Sequence, residues 1–221
     1  MPAAAMAPRR AAVPPLEVGA LLRAELLEGT SIVVAATRGA PTGAAVAEAC
    51  AALGASVAPW AVEAKEWQEE GEGAAGGAAP DAAGDADLLA MDAASVFAVA
   101  GAGREGLRLS LEVAWGVTKA VAERAFLPVS GADGARGGRI VYIAPAPRDG
   151  AHAEAARAGL ENLSRTLSIE WARHQTTTVT IAPGDDTAAQ EVATLVAYLA
   201  SPAGAYFSGC LLDLRGVRAD G

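Results

Sequence analysis

The sequence predicts a doubly wound α/β domain built on a parallel sheet. Two observations carry that expectation. Short apolar runs, too brief for helices, recur along the chain, and longer helix-forming segments alternate with them across glycine- and proline-bearing turns. Alternation of this kind implies crossover connections, parallel strands and strands buried on both faces.

The first fifteen residues, MPAAAMAPRRAAVPP, read as a disordered Pro/Ala tail, because no continuous apolar run follows Arg9 and Arg10 as a signal peptide requires. Leu16 to Leu27 is a short amphipathic segment that ends at Gly29. Ser31 to Ala36 (SIVVAA) suits a buried strand, and Thr37 to Gly43 is turn chemistry. Pro41 and Thr42 are good helix-entry residues, Ala44 to Leu53 forms helix, and Gly54 ends it. Ala55 to Trp60 returns as a second strand, completing one βαβ unit with a right-handed crossover.

Residues 61–86 change character: Glu63 to Glu72 forms one exposed helix, and Gly71 to Asp85 is a mobile linker. Strand chemistry resumes at Asp87 to Met91. A long helix runs from about Glu105 to Leu127, with Leu107, Leu111, Ala114, Val117 and Val121 on one face. A flexible loop at Ser130 to Gly138 precedes the strand Arg139 to Ile143. The helix from about Ala151 to Arg173 carries Leu160, Leu163, Leu167 and Trp171 on one stripe. Strand at Thr176 to Ile181, helix at Gln190 to Leu199 and strand at Ser208 to Leu214 complete a single domain over 16–221, without internal repeats.

Composition bounds the partners. At 221 residues the chain buries a normal core without staples, and a net charge of −9 gives no electrostatic footprint for nucleic acid or anionic lipid. Gly, Pro or charge interrupts every apolar segment, so no membrane span is expected. Cys50 and Cys210 show no paired-ligand spacing and read as free thiols of a reducing compartment, which makes the expected location cytoplasmic.

The C-terminal half resembles a known family. Ala158-Gly-Leu-Glu-Asn-Leu-Ser-Arg-Thr-Leu-Ser-Ile-Glu-Trp171 is similar to the long helix that follows the active-site tyrosine and lysine of short-chain dehydrogenases/reductases. Thr180 to Gly184 resembles that family's Pro-Gly element, and Val196 to Pro202 with Ser208 to Gly216 resembles its last helix and last strand. The resemblance covers most of Ser31 to Gly216 and implies a Rossmann-like sheet. Two departures follow from it. Residues 61–86 are too short for the helix, strand and helix that the family places there, and Pro183 to Thr187 runs into the next helix without a substrate lid.

The resemblance also says where the family's chemistry should be. Its Tyr-x-x-x-Lys falls on Ala153 and Arg157, its serine on Ala144 or Pro145, and its helix asparagine on Ala114. Hydride transfer at a carbonyl needs an acid/base at the oxygen, and alanine has no proton to give. Arg157 keeps a positive charge for a ribose or an anion; the other reading of it is a helix-surface partner of Glu154 or Glu161. The glycine-rich cofactor turn corresponds to Thr37 through Gly43, where Gly39 and Gly43 remain, a pattern that an ordinary turn explains equally well. Pro59-Trp60-Ala61 offers neither an acid for a ribose hydroxyl nor an arginine for its phosphate. The family's Asn-Asn-Ala-Gly becomes Met91-Asp92-Ala93-Ala94, so Asp92 either repels a dinucleotide or holds a ribose hydroxyl.

Three candidates for chemistry remain: Tyr142 near the carboxyl end of a central strand, His152 beside the vacant tyrosine position, and Arg157. Core filling explains Tyr142, and exposure at a helix start explains His152. His174 reads as a helix-end residue, and the adjacent Asp185 and Asp186 as acids attracted to a helix N-terminus. The leading expectation is a catalytically degenerate homologue acting as a subunit of a homo-oligomer, or of a hetero-oligomer with a paralogue, through the 159–171 helix and the last strand. The alternatives are an oxidoreductase with a rebuilt site that uses NAD(P), and a dinucleotide or small-ligand sensor. The cofactor expectation is accordingly none or NAD(P).

Overall fold

Six parallel strands in the order β2-β1-β3-β4-β5-β6 form the sheet of the computed structural model, which describes residues 22–63, 79–128 and 136–216. They are β1 (Ser31–Ala36), β2 (Ser56–Ala61), β3 (Leu88–Asp92), β4 (Gly138–Ile143), β5 (Thr176–Ala182) and β6 (Cys210–Asp213). The helices are α1 (Pro41–Ala52), α2 (Ala93–Val99), α3 (Arg104–Val121), α4 (Ala153–Glu170) and α5 (Ala189–Ala200). The chain leaves β1 toward β2 and returns on the other side of β1 as β3, so the strand order reverses at the β1/β3 boundary. Crevices at such reversals are where open α/β sheets hold ligands.

Strand alternation divides the core. Ile32, Val34, Val141, Ile143, Val179 and Ile181 pack toward α1 and α5, against Val46, Cys50, Val192 and Val196. Val33, Leu89, Met91, Ile140 and Tyr142 face the other way, against Leu109, Val113 and Val117 of α3 and Leu160 of α4. Both faces of the central strands are covered, which is why they read as continuous apolar runs. β5 is the polar exception, with Thr176, Thr178 and Thr180 buried on the α4 side. Thr178 Oγ1 donates to the Ser164 carbonyl (2.5 Å) and Thr180 Oγ1 to that of Leu160 (3.2 Å), so the stripe is satisfied by the helix backbone.

Several expectations shift by a few residues. α3 ends at Val121 and continues through a π turn, Ala122–Phe126. Its fully buried stripe is Leu109, Val113, Val117 and Val121, while Leu107 and Leu111 are only half-buried. Leu111 is turned toward α4, where a Cβ on Gly159 would stand 2.8 Å from its methyl groups. On α4, Leu160 and Leu167 are buried and Leu163 and Trp171 pack at the edge of the same core. β6 is shorter than the expected 208–214 segment. The sequence pattern does not announce α2, which the Asp92 side chain caps at its start.

The described residues bear on both expected departures from the family. Between β2 and β3 they hold a single 3₁₀ turn, Asp81–Asp85, and no further strand. Pro183 to Ala188 joins β5 to α5 directly, with the Gly184 N–H donating to Thr187 Oγ1 (2.8 Å). The expected tail at 1–15, most of the helix at 63–72, the linker from 71 to 78 and the loop at 130–135 lie outside the described residues. Residues 22–29, the described end of the expected amphipathic segment, form turns. No helix among the described residues is long and apolar enough to cross a membrane.

Packing at the start of β4 gives a direct test of the fold. A Cβ on Gly138 would sit 2.1 Å from the Phe126 ring, which is wholly buried. Gly138→Ala should therefore destabilise by about 1–3 kcal/mol, read as a lowered thermal midpoint.

Candidate functional site at the carboxyl edge of the sheet

The reversal point between β1 and β3 is closed by side chains of the protein itself. Asp92, the last residue of β3, is 1% exposed, and its carboxylate accepts the Ser95 N–H (3.0 Å) at the start of α2. The same carboxylate accepts backbone N–H groups of Gly43, in the first turn of α1, and of Ala94. Ser95 Oγ donates to the Asp92 carbonyl (2.8 Å) and accepts the Thr37 N–H (3.1 Å) at the end of β1. One carboxylate thus serves the N-termini of two helices. A Cβ on Gly43 would stand 2.5 Å from that of Ala36, so glycine is required there by close packing. Gly39, at φ +77°, supplies the left-handed step of the turn.

This arrangement consumes the donors that an anion would use. An α-helix opens with four backbone N–H groups lacking helical partners. In α1 the Ala40 N–H bonds to the Thr37 carbonyl (3.1 Å), Pro41 has none, and the Gly43 N–H is held by Asp92. Among the described residues only the Thr42 N–H of that turn stays without a protein partner. A pyrophosphate at this helix start would meet the buried Asp92 carboxylate, a like charge, so the cradle fits a dinucleotide's phosphates poorly.

Further along the carboxyl edge, Arg157 is buried, not at the helix surface. Its Nη1 donates to the carbonyls of Pro145 (3.0 Å) and Pro183 (2.7 Å), and its Nη2 lies 3.5 Å from Asp213. Glu154 is a looser partner at 3.8 Å, while Glu161 pairs with Arg165 instead. The guanidinium ties together the ends of β4, β5 and β6. Burial, with Arg215 beside it, lowers its pKa against the opposing pull of Glu154, Asp213 and Asp185. An arginine remains charged under such a load and moves no proton. Arg215 extends the network by pairing with Asp213 (2.5 Å) and Glu154 (3.2 Å).

The remaining candidates are scattered. Ala144 and Ala153 are wholly buried and carry no proton donor. Tyr142 is also wholly buried, with its hydroxyl 2.8 Å from Thr118 Oγ1, and burial pushes its phenol well above the ordinary range. His152 is half-buried at the N-cap of α4, and its Nδ1 has no partner among the described residues. His174 lies in the turn after α4, near Arg173. Asp185 accepts the Arg148 N–H (2.8 Å), and Asp186 is exposed beside it.

One pair escaped sequence reasoning. Arg38, in the turn after β1, reaches Glu63 just past β2 at 3.2 Å, and both are exposed. An arginine and a carboxylate therefore do stand near the end of β2. The parallel β1–β2 register brings the two strand ends level, and the glycine turn then swings Arg38 across.

Burial raises the Asp92 pKa from 3.8 to about 6, against the N–H groups of Ser95 and Gly43 that favour the charged form. Because the folded value lies above the unfolded one, the protonated form is favoured by folding. The contribution of Asp92 to stability is fully present below pH 4 and about 2–3 kcal/mol is lost as pH rises through 6. Asp92→Asn should flatten that segment of the stability–pH curve, measured by denaturant unfolding between pH 4 and 7.

No protein-family model matches the chain, and no curated protein matches it. Solved structures do. The citronellol catabolism dehydrogenase of Pseudomonas aeruginosa PAO1 aligns over 90% of this chain and 99% of its own, at 21% identity and a TM-score of 0.63. A short chain dehydrogenase from Mycobacterium smegmatis aligns over 88% and 95%, at 20% identity and a TM-score of 0.61. A hydroxysteroid dehydrogenase from Escherichia coli aligns over 87% and 98%, at 17% identity and a TM-score of 0.60. The strand order, the helices on both faces and these alignments together give the chain the short-chain dehydrogenase fold.

Proposed function

We propose that this chain is a short-chain dehydrogenase homologue without hydride-transfer chemistry, serving as a structural or regulatory subunit of an oligomer. The observation that carries this reading is the closed carboxyl edge. Where the resemblance puts a tyrosine, a serine and a lysine, the chain has buried Ala153, buried Ala144 or Pro145, and an Arg157 spent on the Pro145 and Pro183 carbonyls. None of the side chains at those three positions gives a proton to a carbonyl oxygen.

The partner is a second copy or a related chain. Support comes from the outer face of α3 and α4, where Trp115 stacks on Trp171 with ring centroids 6.3 Å apart. Trp115 is 44% exposed and Ile169 is 77% exposed, a concentration of large apolar side chains near the end of α4. Such patches mark interaction surfaces more often than solvent-facing helix, and aromatic anchors contribute most to them.

A second reading is an NAD(P)-dependent oxidoreductase with a rebuilt site. It is favoured by the exposed Arg38–Glu63 pair, suited to a ribose or its phosphate, and by the unpartnered His152 Nδ1. His152 or Tyr142 would be the acid/base, with Gly39, Gly43, Asp92 and Arg157 toward the cofactor. A sensor that binds a dinucleotide without turnover is the same reading with the chemistry removed.

Ile169→Glu separates the readings. In the subunit reading the wild type is an oligomer by light scattering, and the variant, still folded by circular dichroism, loses at least about 2 kcal/mol of association, some thirtyfold in dissociation constant. A wild type that is monomeric and oxidises NADPH with a carbonyl substrate would overturn it.

A further inference from the structure

A cavity opens at the end of the sheet opposite the carboxyl edge, where the strands begin. Its volume is about 440 Å³, within the range of small-molecule sites. Thr30, Asp87, Arg136, Arg139, Gln175 and Thr177 supply its polar lining. Of its two guanidinium groups, that of Arg136 is matched by Asp87 and by Asp85 at its outer side (3.9 Å), which leaves Arg139 as the cation with no ion pair among the described residues.

The carboxylate is already committed. Asp87 Oδ2 accepts the Ser31 N–H (2.8 Å), and Oδ1 pairs with Arg136 Nη2 (3.0 Å). Arg139 has no carboxylate within ion-pair distance among the described residues. Its Nη1 instead donates to the carbonyls of Leu199 (3.3 Å), Ala200 and Ser201 (2.8 Å) at the end of α5. Those bonds fix the guanidinium and leave its other N–H groups for the cavity. Half-burial of a cation is costly, and desolvation lowers the Arg139 pKa against the weaker opposing pull of Asp87. The wall is rigid: Gly137 has φ +72°, and a Cβ there would stand 2.7 Å from the Gln175 carbonyl.

We propose that this cavity binds a small oxyanion, a phosphate or carboxylate group, held by Arg139 and Arg136 with Thr30, Thr177 and Gln175 as hydrogen-bonding partners. The site lies away from the β1/β3 crevice and is independent of the subunit reading above. It gives the protein a ligand that does not use the dinucleotide end of the fold.

Calorimetric titration of the full chain with inorganic phosphate tests it, with malonate as the carboxylate arm. The expected result is saturable binding of at least one of the two, weakened about tenfold or more in Arg139→Met, as loss of a charge-assisted contact implies. Because Arg139 also caps α5, Gln175→Gly provides a second variant; its left-handed backbone (φ +56°) accepts glycine without strain, and binding should weaken severalfold. Absence of saturation with both anions overturns the proposal, as does unchanged affinity in either folded variant.

Discussion

The Asp92 carboxylate is the constraint around which the carboxyl edge of this sheet is organised. Where β1 and β3 part, two helices start with their backbone N–H groups converging on one small volume. Each N-terminus carries partial positive charge and unpaired donors that must meet an acceptor. In this chain the acceptor is internal. Asp92 takes N–H groups from Gly43, Ala94 and Ser95, and Ser95 links the same cluster back to Thr37. The desolvation that raises its pKa measures what this burial costs, and the converging N–H groups are what hold the charge there. Pro41, packed Gly43 and the short helix α2 all follow from a crevice satisfied by the protein alone.

The same logic extends along the other strand ends. Arg157 spans the loops after β4 and β5 and approaches Asp213 at the end of β6, so three connections are fastened by one guanidinium. In an enzyme those connections need room to admit and release a substrate. Here they are joined to one another, and Pro183 to Ala188 is too short to form a lid over them. An edge fastened in this way holds the ends of β4, β5 and β6 in one fixed arrangement. Exposed Trp115 and Ile169, with half-buried Trp171 stacked on Trp115, leave large apolar side chains uncovered on α3 and α4.

Much of the fold was legible in the sequence because its signals are local. Strands β1, β4 and β5 are buried on both faces, so their apolar character is continuous, and the turns around α1 carry Pro41 and Gly54 where helix chemistry demands them. Edge strand β6 is half-exposed, and its boundaries were less legible for that reason. The site was harder. Helical spacing put Glu154 and Glu161 beside Arg157, yet its burial depends on carbonyls 12 and 26 residues away. Arg38 and Glu63, 25 residues apart, meet only because two parallel strands end level. The role of Asp92 as a cap for α1 likewise arises across the sheet, and no local pattern encodes it.

Calorimetric titration with NADH and NADPH tests the central claim most directly, since an anion cradle occupied by Asp92 sets a buried carboxylate against a dinucleotide's phosphates. Absence of binding up to millimolar cofactor is the result the self-filled crevice predicts. Saturable micromolar binding of either dinucleotide would contradict it, and would make Arg38 and Glu63 the first residues to substitute.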